Sequence, residues 1–219
     1  MTPPFAANTL AECLAAYADE LRTSGSPFAG EYDRLIDRLK AGSLGALAPA
    51  VGEAMPGFLL PDQDGHIVSL DGLLAAGPLV ISFNRGHWCP FCRIELDALD
   101  AAHEDLARLG ARVVSIMPDR QPYTRELARR FVHPLTILTD MDNDYALSLG
   151  LAMWVGAEVR ALLVEDGTML PHYQGSDAWV LPLPATFVLR QDGRVAARYV
   201  NPDFRERMEI ADVIAALQS

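Results

Sequence analysis

The chain is poor in several things, and each shortage narrows what it can do. Its 219 residues include one lysine, Lys40, and acidic residues outnumber basic ones 29 to 18, giving a formal charge of −11. No basic run or basic face is present, which argues against nucleic acid and against anionic membranes as partners. No apolar run approaches the ~20 residues that cross a bilayer. The first ten residues carry no basic n-region and no apolar h-region, and the first basic residue is Arg22, so no secretory leader is expected. Cysteine is scarce: Cys13, Cys89 and Cys92 are an odd set, too small to staple a chain of this length. The expectation is a protein of the reducing cytoplasm, where a close cysteine pair is more often catalytic or metal-binding than structural. There is no Gly-rich phosphate loop, Ser-His-Asp signature, internal repeat or low-complexity tract, and nothing calls for a cofactor. The acidic stretch Asp140-Met-Asp142-Asn-Asp144 lacks the Gly and the final Glu of a calcium loop, and reads as helix capping by Asp142 or Asn143.

Half of the residues are hydrophobic, enough for a full core in one domain with an added segment. Residues 1–50 read as that segment. Leu10 to Leu21 and Tyr32 to Leu39 have helical apolar spacing, and Ala41 to Ala50 reads as a linker. Whether this extension packs on the main domain or on a partner subunit is left open, and with it a homodimer.

The main domain, 51–219, has a different pattern. Pro56 to Leu60 and His66 to Leu70 flank an Asp-Gly turn, which predicts a hairpin. Pro78 to Phe83 and Arg112 to Met117 read as buried strands, and Phe91 to Leu109 as a helix closed by Gly110. A helix over Tyr123 to Phe131, a strand over Leu135 to Leu138 and a short helix over Asp144 to Leu149 follow. Residues 155–182 read as an insertion with little regular structure. Trp154, Tyr173, His172 and Trp179 lie in or beside it, and core packing is their default role. Ala185 to Leu189 and Val195 to Val200 make a second hairpin, and Phe204 to Leu217 a closing helix. This order implies an α/β fold with a central mixed sheet covered by helices on both faces.

The sharpest feature is Asn84-Arg-Gly-His-Trp-Cys89-Pro-Phe-Cys92, where a buried strand gives way to a long helix. Chemistry collects at the carboxyl ends of strands in open α/β sheets. Pro90 suits the first helical position, which leaves Cys89 at the helix mouth. Unpaired N–H groups and the positive end of the helix dipole there favour thiolate over thiol. Cys92, three residues on, is a neighbour on the helix surface, close enough to close a disulfide. Cys89 is therefore the expected nucleophile and Cys92 its resolving partner. Half a zinc site and two inert buried cysteines are the other readings. A second cysteine pair is absent, and Cys13, on the apolar side of its helix, reads as a small core residue.

Trp88-Cys89-x-x-Cys92 at a strand-to-helix turn resembles the thioredoxin superfamily. The stretch from Val51 onward resembles the alkyl hydroperoxide reductase/thiol-specific antioxidant family, the peroxiredoxins and their close relatives. The matching pieces are Val51-Gly-Glu-Ala-Met-Pro-Gly-Phe58, Val80-Ile-Ser-Phe83, Cys89-Pro90 and Pro184-Ala-Thr-Phe-Val-Leu189. The branch with Phe-x-Arg-Gly-x-Trp-Cys-Pro-Phe-Cys, here Phe83 to Cys92, is the most similar. The resemblance implies a thioredoxin-like fold and reduction of hydrogen peroxide or organic hydroperoxides. Cys89 would pass through sulfenic acid to a disulfide with Cys92, and a thioredoxin-like electron donor would recycle it.

The sequence departs from the family twice. The Thr or Ser three residues before the nucleophile is Gly86, and the Arg of the late strand is replaced by Pro184. Proline there resembles the cis-proline of thioredoxins. Arg85 can replace the missing Arg, unless it is a surface ion-pair residue. Glu95, on the face of Cys92, resembles the proton-accepting Glu of cytochrome-maturation thioredoxins, unless it is solvated. His87 is read as incidental. Three functions stay open: a thiol peroxidase, a protein thiol–disulfide reductase acting on a disulfide substrate, and a non-enzymatic redox sensor or binding module.

Overall fold

The computed structural model describes residues 8–219; residues 1–7, within the stretch read as lacking a leader, lie outside the described residues. The chain enters helix α1, Leu10–Thr23, through a capping box: Thr9 Oγ1 accepts from the Glu12 amide and the Glu12 carboxylate accepts from the Thr9 amide. Helix α2, Pro27–Ala41, starts behind the Ser26 cap with proline in its first turn. α1 begins where its apolar spacing begins and runs two residues further, whereas α2 starts behind its Ser26 cap, five residues before its periodic stretch.

A hairpin of β1, Leu59–Pro61, and β2, Ile67–Ser69, leads through the short α3, Leu70–Leu74, into β3, Leu79–Phe83. Helices α4, Pro90–Ala101, and α5, His103–Arg108, then run to β4, Arg112–Met117. After α6, Gln121–Ala128, come β5, Thr136–Thr139, and α7, Asp144–Ser148. Next are β6, Ala152–Trp154, α8, Ala157–Glu165, α9, Leu170–Gln174, and β7, Val180–Pro182. The chain closes with β8, Ala185–Leu189, β9, Val195–Val200, and α10, Ile210–Leu217.

The central sheet has the order β5-β4-β3-β8-β9. β3 pairs parallel with β4 and antiparallel with β8, and β4 pairs parallel with β5. β3 is therefore the middle strand, and every residue of it is buried, as its continuous apolar run demands. Its register sets Phe83 against Ile116 and Ala185, so the residues after Phe83 leave the sheet at its carboxyl edge. One hydrophobic cluster lies under α1, α2 and α4; a second, with Leu96, Leu106, Val80 and Val213, fills the other face.

The extension packs on its own chain. Leu10, Leu14, Tyr32, Leu35, Ile36 and Leu39 belong to the same buried cluster as Ile81, Phe83 and Phe91. The Glu209 carboxylate caps α1 by accepting from the Ala11 amide at 2.6 Å, and Arg205 pairs with Asp33 at 2.7 Å.

Several expectations need correction. The helix expected over 91–109 is two helices. The dihedrals bend at Ala102 (φ −88°, ψ 2°), although the hydrogen bonds from Ala102 to Ala98 and from Leu106 to Ala102 run through the bend. Gly110 still ends α5 with φ +72°. Residues 155–182 are regular: α8, α9 and β7 lie there. Pro171 falls in the first turn of α9, where proline is tolerated, and β7 pairs with β6. The closing helix begins at Ile210, not Phe204, because the Phe204 and Glu206 carbonyls accept from the Arg207 guanidinium instead of from helical amides. α7 is capped by Asp140, whose oxygens accept from the Tyr145 and Ala146 amides at 2.9 Å, and neither Asp142 nor Asn143 supplies the cap. Asp142 and Asn143 instead take left-handed backbone conformations (φ 56° and 59°). Cys13 is half-exposed rather than a core residue. Trp179 is buried, whereas Trp154 is largely exposed beneath Arg38.

Because α2 shares its core with the sheet, Ile36→Ala is expected to lower the stability of the whole chain by about 2–5 kcal/mol. Urea melts followed by both fluorescence and circular dichroism should shift together. A separate early transition, with the main one unmoved, would contradict the shared core.

Candidate active site

The site forms at the edge where β3 ends. The Asn84 amide still donates to the Ile116 carbonyl at 2.8 Å, so Asn84 is the last residue held by the sheet. Its side chain donates to Ser82 at 2.8 Å and Ser115 at 3.1 Å, which fixes the exit of the chain. The turn Arg85 to Trp88 follows, and Cys89 is the N-cap of α4 with Pro90 in its first turn. Cys89 and Cys92 are free thiols with no exposed surface.

Arg85 lies across the mouth of α4. It is 1% exposed, and its Nε and NH2 groups donate to Cys89 Sγ at 3.3 and 3.0 Å. Its backbone amide donates to Cys92 Sγ at 3.3 Å. The guanidinium is boxed by aromatic rings, with Phe204 at 4.1 Å, Tyr32 at 5.4 Å and Trp88 at 5.5 Å from its carbon. Tyr32 belongs to the extension, and burial pushes its phenol up to about 12.

A second buried arginine, Arg207, comes from the loop before α10 and has no signal in the sequence. Its Nε donates to Glu95 at 2.8 Å, and its NH2 lies 3.7 Å from Cys92 Sγ. Glu95 is 2% exposed, so it is not a solvated helix residue. Its Oε1 accepts from Ser82 and Thr186, each at 3.1 Å, and its Oε2 takes the Arg207 bond. The only hint in the sequence is indirect: a Glu on the Cys92 face of a buried helix needs a counter-charge from somewhere.

These contacts split the two thiols. Burial alone would raise the Cys89 pKa, but hydrogen bonding from Cys92 and the charges of Arg85 and Arg207 outweigh it and hold it well below its ordinary value of 9.0. Burial, then the hydrogen bond to Cys89 and its negative charge, push Cys92 well above that value. The surroundings favour the thiolate at Cys89 and the thiol at Cys92.

Gly86 is where the resemblance wants a Thr or Ser. Its φ is +147°, and a Cβ there would collide with the Trp88 indole nitrogen and crowd Asp119 Oδ1. A side chain is excluded on both grounds. His87 is not incidental: its backbone amide and its Nδ1 each lie 2.7 Å from Oδ2 of the buried Asp119. Its ring stacks on Tyr123 and meets Tyr173 edge-on. Pro184 is buried just before β8, but no peptide bond among the described residues is cis. The likeness to the thioredoxin cis-proline therefore fails. The antiparallel β3–β8 register already places the chain at the sheet edge without it. Among the described residues no group of three His, Cys, Asp or Glu side chains could hold a metal ion.

The model of the AhpC/TSA family matches residues 51–198. The chain belongs to the AhpC/TSA family. A putative peroxiredoxin Q, chloroplastic, from Oryza sativa subsp. indica is 29% identical over 168 residues, 77% of this chain and 66% of that protein. The chain thus spans about two thirds of that plant relative's length. A putative peroxiredoxin bcp from Coxiella burnetii is 23% identical over 167 residues, 76% of this chain and 97% of that one. In fold, the crystal structure of peroxidoxin BcpB from Mycobacterium tuberculosis superposes with a TM-score of 0.59 at 23% identity, covering 78% of this chain and 97% of that one. The family match begins after the extension and ends before Phe204 and Arg207, so Tyr32, Phe204 and Arg207, which lie around the thiols, fall outside it.

The Arg85→Met variant tests the electrostatics. A depressed pKa means that thiolate persists as pH falls below 9.0 and is lost only at the lowered value. Absorbance at 240 nm, measured against Cys89→Ser, should show that loss moved to higher pH in Arg85→Met. Superimposable curves would refute the assignment.

Proposed function

We propose that this AhpC/TSA protein is a thiol peroxidase, with Cys89 as the peroxidatic residue and Cys92 as the resolving one. The reading is carried by one observation, a buried Cys89 sulfur that accepts from two guanidinium N–H groups of Arg85, three residues from the Cys92 thiol. Thiolate is the nucleophilic form. Its sulfur attacks the terminal peroxide oxygen, the O–O bond breaks, and the alkoxide or hydroxide leaves and takes a proton from water. Arg85 stays beside the sulfur to offset the charge that moves onto the leaving oxygen. In this role it stands in for the late-strand arginine that Pro184 replaces, and Trp88 holds its guanidinium from one side.

The second step follows from the first. While Cys89 is an anion, its charge keeps Cys92 protonated. Conversion of Cys89 to a neutral sulfenic acid removes that charge, while Arg207 and Arg85 remain to favour the Cys92 thiolate. Cys92 then attacks the sulfenic sulfur, water leaves, and a disulfide forms. A dithiol donor of thioredoxin type restores both thiols by exchange. Glu95 acts here as the counter-charge of Arg207, a positioning residue rather than a proton carrier.

The protein-disulfide reductase reading draws on a cis-proline and a free Glu95, and Pro184 is trans while Glu95 is ion-paired. The sensor reading draws on docking through 1–50, where Leu10, Leu14, Tyr32, Leu35, Ile36 and Leu39 are buried in their own chain. The unit 51–219 is proposed as the peroxidase fold, with 1–50 as a cover over the thiols. Thiol chemistry of this kind needs a reducing compartment, for which the cytoplasm is proposed. No described helix is long and apolar enough to cross a membrane.

Rapid mixing with hydrogen peroxide, followed by Trp fluorescence, tests the assignment. Cys89→Ser is expected to abolish the oxidation signal. Cys92→Ser should keep the first phase, lose the second and stop turnover with a thioredoxin donor. Full turnover in Cys89→Ser would overturn the reading.

A further inference from the structure

Asp119 lies two residues beyond β4, at the carboxyl edge of the sheet, and has no exposed surface. Thr139 Oγ1 donates to its carbonyl at 2.8 Å and fixes its backbone. A buried carboxylate is tolerated only when it is paired and hydrogen-bonded. Its Oδ2 accepts from the His87 amide and lies against ring Nδ1, each at 2.7 Å. A carboxylate only accepts, so Nδ1 is the donor, and Nε2 is left without a protein partner among the described residues. The ring is held flat on Tyr123 of α6, with centroids 4.9 Å apart, and edge-on to Tyr173 of α9 at 4.7 Å. Arg93 of α4 donates to the His87 carbonyl at 2.5 Å and not to the ring, so Asp119 is the charged side chain that bonds the imidazole. The His87 side chain is 17% exposed and keeps a path to water. It stands two residues before Cys89, so the two Cα atoms are no more than about 7 Å apart. The Cys89 amide donates to the Gly86 carbonyl at 3.2 Å, which folds this turn back on itself. A second observation falls on the same turn. Asp119 Oδ1 has no partner, and neither has the buried Trp88 Nε1. Both lie within 3.0 Å of the point where a Gly86 Cβ would stand. An acceptor and a donor left side by side in the interior suit a small molecule that both gives and takes a hydrogen bond, as a hydroperoxide group does.

We propose that His87 is the proton donor to the oxygen that leaves when Cys89 attacks a peroxide, with Asp119 as its positioning residue. The proposal rests on the peroxidase reading and deepens it, placing His87 between water and the leaving oxygen. The thiolate takes the terminal oxygen together with its hydrogen, and the O–O bond breaks. The electron pair of that bond goes to the second oxygen, which takes the proton of the His87 imidazolium. Cys89 becomes a sulfenic acid, the peroxide becomes an alcohol or water, and His87 is left as neutral imidazole. Water returns the proton to it. Asp119 fixes Nδ1 and offsets the imidazolium charge, so the proton departs from Nε2. The Trp88 indole N–H and Asp119 Oδ1 hold the O–O–H group beside the ring.

Leaving-group chemistry separates proton donation from packing. tert-Butyl hydroperoxide and hydrogen peroxide expel an alkoxide or hydroxide, which needs a proton. Peracetic acid expels a carboxylate, which is stable without one near neutral pH. The full chain is mixed with each oxidant, and second-order rate constants for Cys89 oxidation are read by stopped-flow Trp fluorescence. His87→Gln is expected to slow the two peroxides on the order of 100-fold and peracetic acid by less than about threefold. Asp119→Asn keeps the imidazole but loosens it, and should show the same selectivity at roughly tenfold. Thermal melting and thiolate absorbance at 240 nm check that each variant keeps its fold and its Cys89 thiolate. A comparison without variants guards against a folding defect. Relative to a free small thiol, the wild type should compress the ratio of peracetic acid to tert-butyl hydroperoxide rate constants by about tenfold or more. An uncompressed ratio, equal slowing of all three oxidants in the variants, or no slowing in His87→Gln refutes the proton donor and leaves the peroxidase reading standing. If none of the oxidants reacts with Cys89 in the wild type, both fall.

Discussion

Two guanidinium groups lie inside this protein with almost no access to water, and a buried charge is tolerable only when it is paired. Arg207 is paired with Glu95, and Arg85 with the Cys89 sulfur. The cluster closes to neutrality when Cys89 is ionised, so the two guanidinium charges favour the thiolate. Removing one member would leave another charge uncompensated in a dry interior. The neighbouring elements reflect this constraint. Ser82 on β3 and Thr186 on β8 bond Glu95, and Phe204, Tyr32 and Trp88 enclose Arg85.

The same constraint ties the extension and the C-terminal loop to the site. Tyr32 reaches Arg85 from α2. Phe204 reaches it from the segment before α10, and Tyr32 and Phe204 also meet edge-on at 5.0 Å. The price is local: carbonyls of Phe204 and Glu206 serve Arg207 and cannot start a helix. Glu209 at the end of that segment caps α1. The cover over the thiols and the loop that supplies Arg207 are thus one packed unit, and neither can shift far without disturbing the buried charges.

Arginine placement also explains the two departures from the family pattern. Pro184 stands where the family has a late-strand arginine, and Arg85, four residues from Cys89, donates to its sulfur instead. A hydroxyl at position 86 is not tolerated, because the backbone there takes φ +147° and the Trp88 indole fills the space. The turn that brings Arg85 across the helix mouth is the turn that excludes the usual Thr or Ser.

Local signals carried far in this chain. Strand β3 was legible because a strand buried on both faces needs an unbroken apolar run. Cys89 at a helix mouth was legible because Pro90 can stand at N1 but not deep in a helix. The β8–β9 hairpin was legible from its Asp-Gly turn. Each depends on residues adjacent in sequence. What escaped depends on residues far apart. Residues 155–182 looked irregular because β7 acquires its order only by pairing with β6. Arg207 was invisible because its importance comes from a contact 112 positions away with Glu95. Glu95 could be placed on the Cys92 face, but whether it met water or a guanidinium was decided by the loop before α10. The sequence by itself determined a close cysteine pair at a helix mouth and the fold that presents it, since short-range backbone preferences and apolar periodicity specify both. Only the tertiary structure decided which charges surround each sulfur and what shields them, because buried electrostatics are summed over groups that the chain brings together from its two ends.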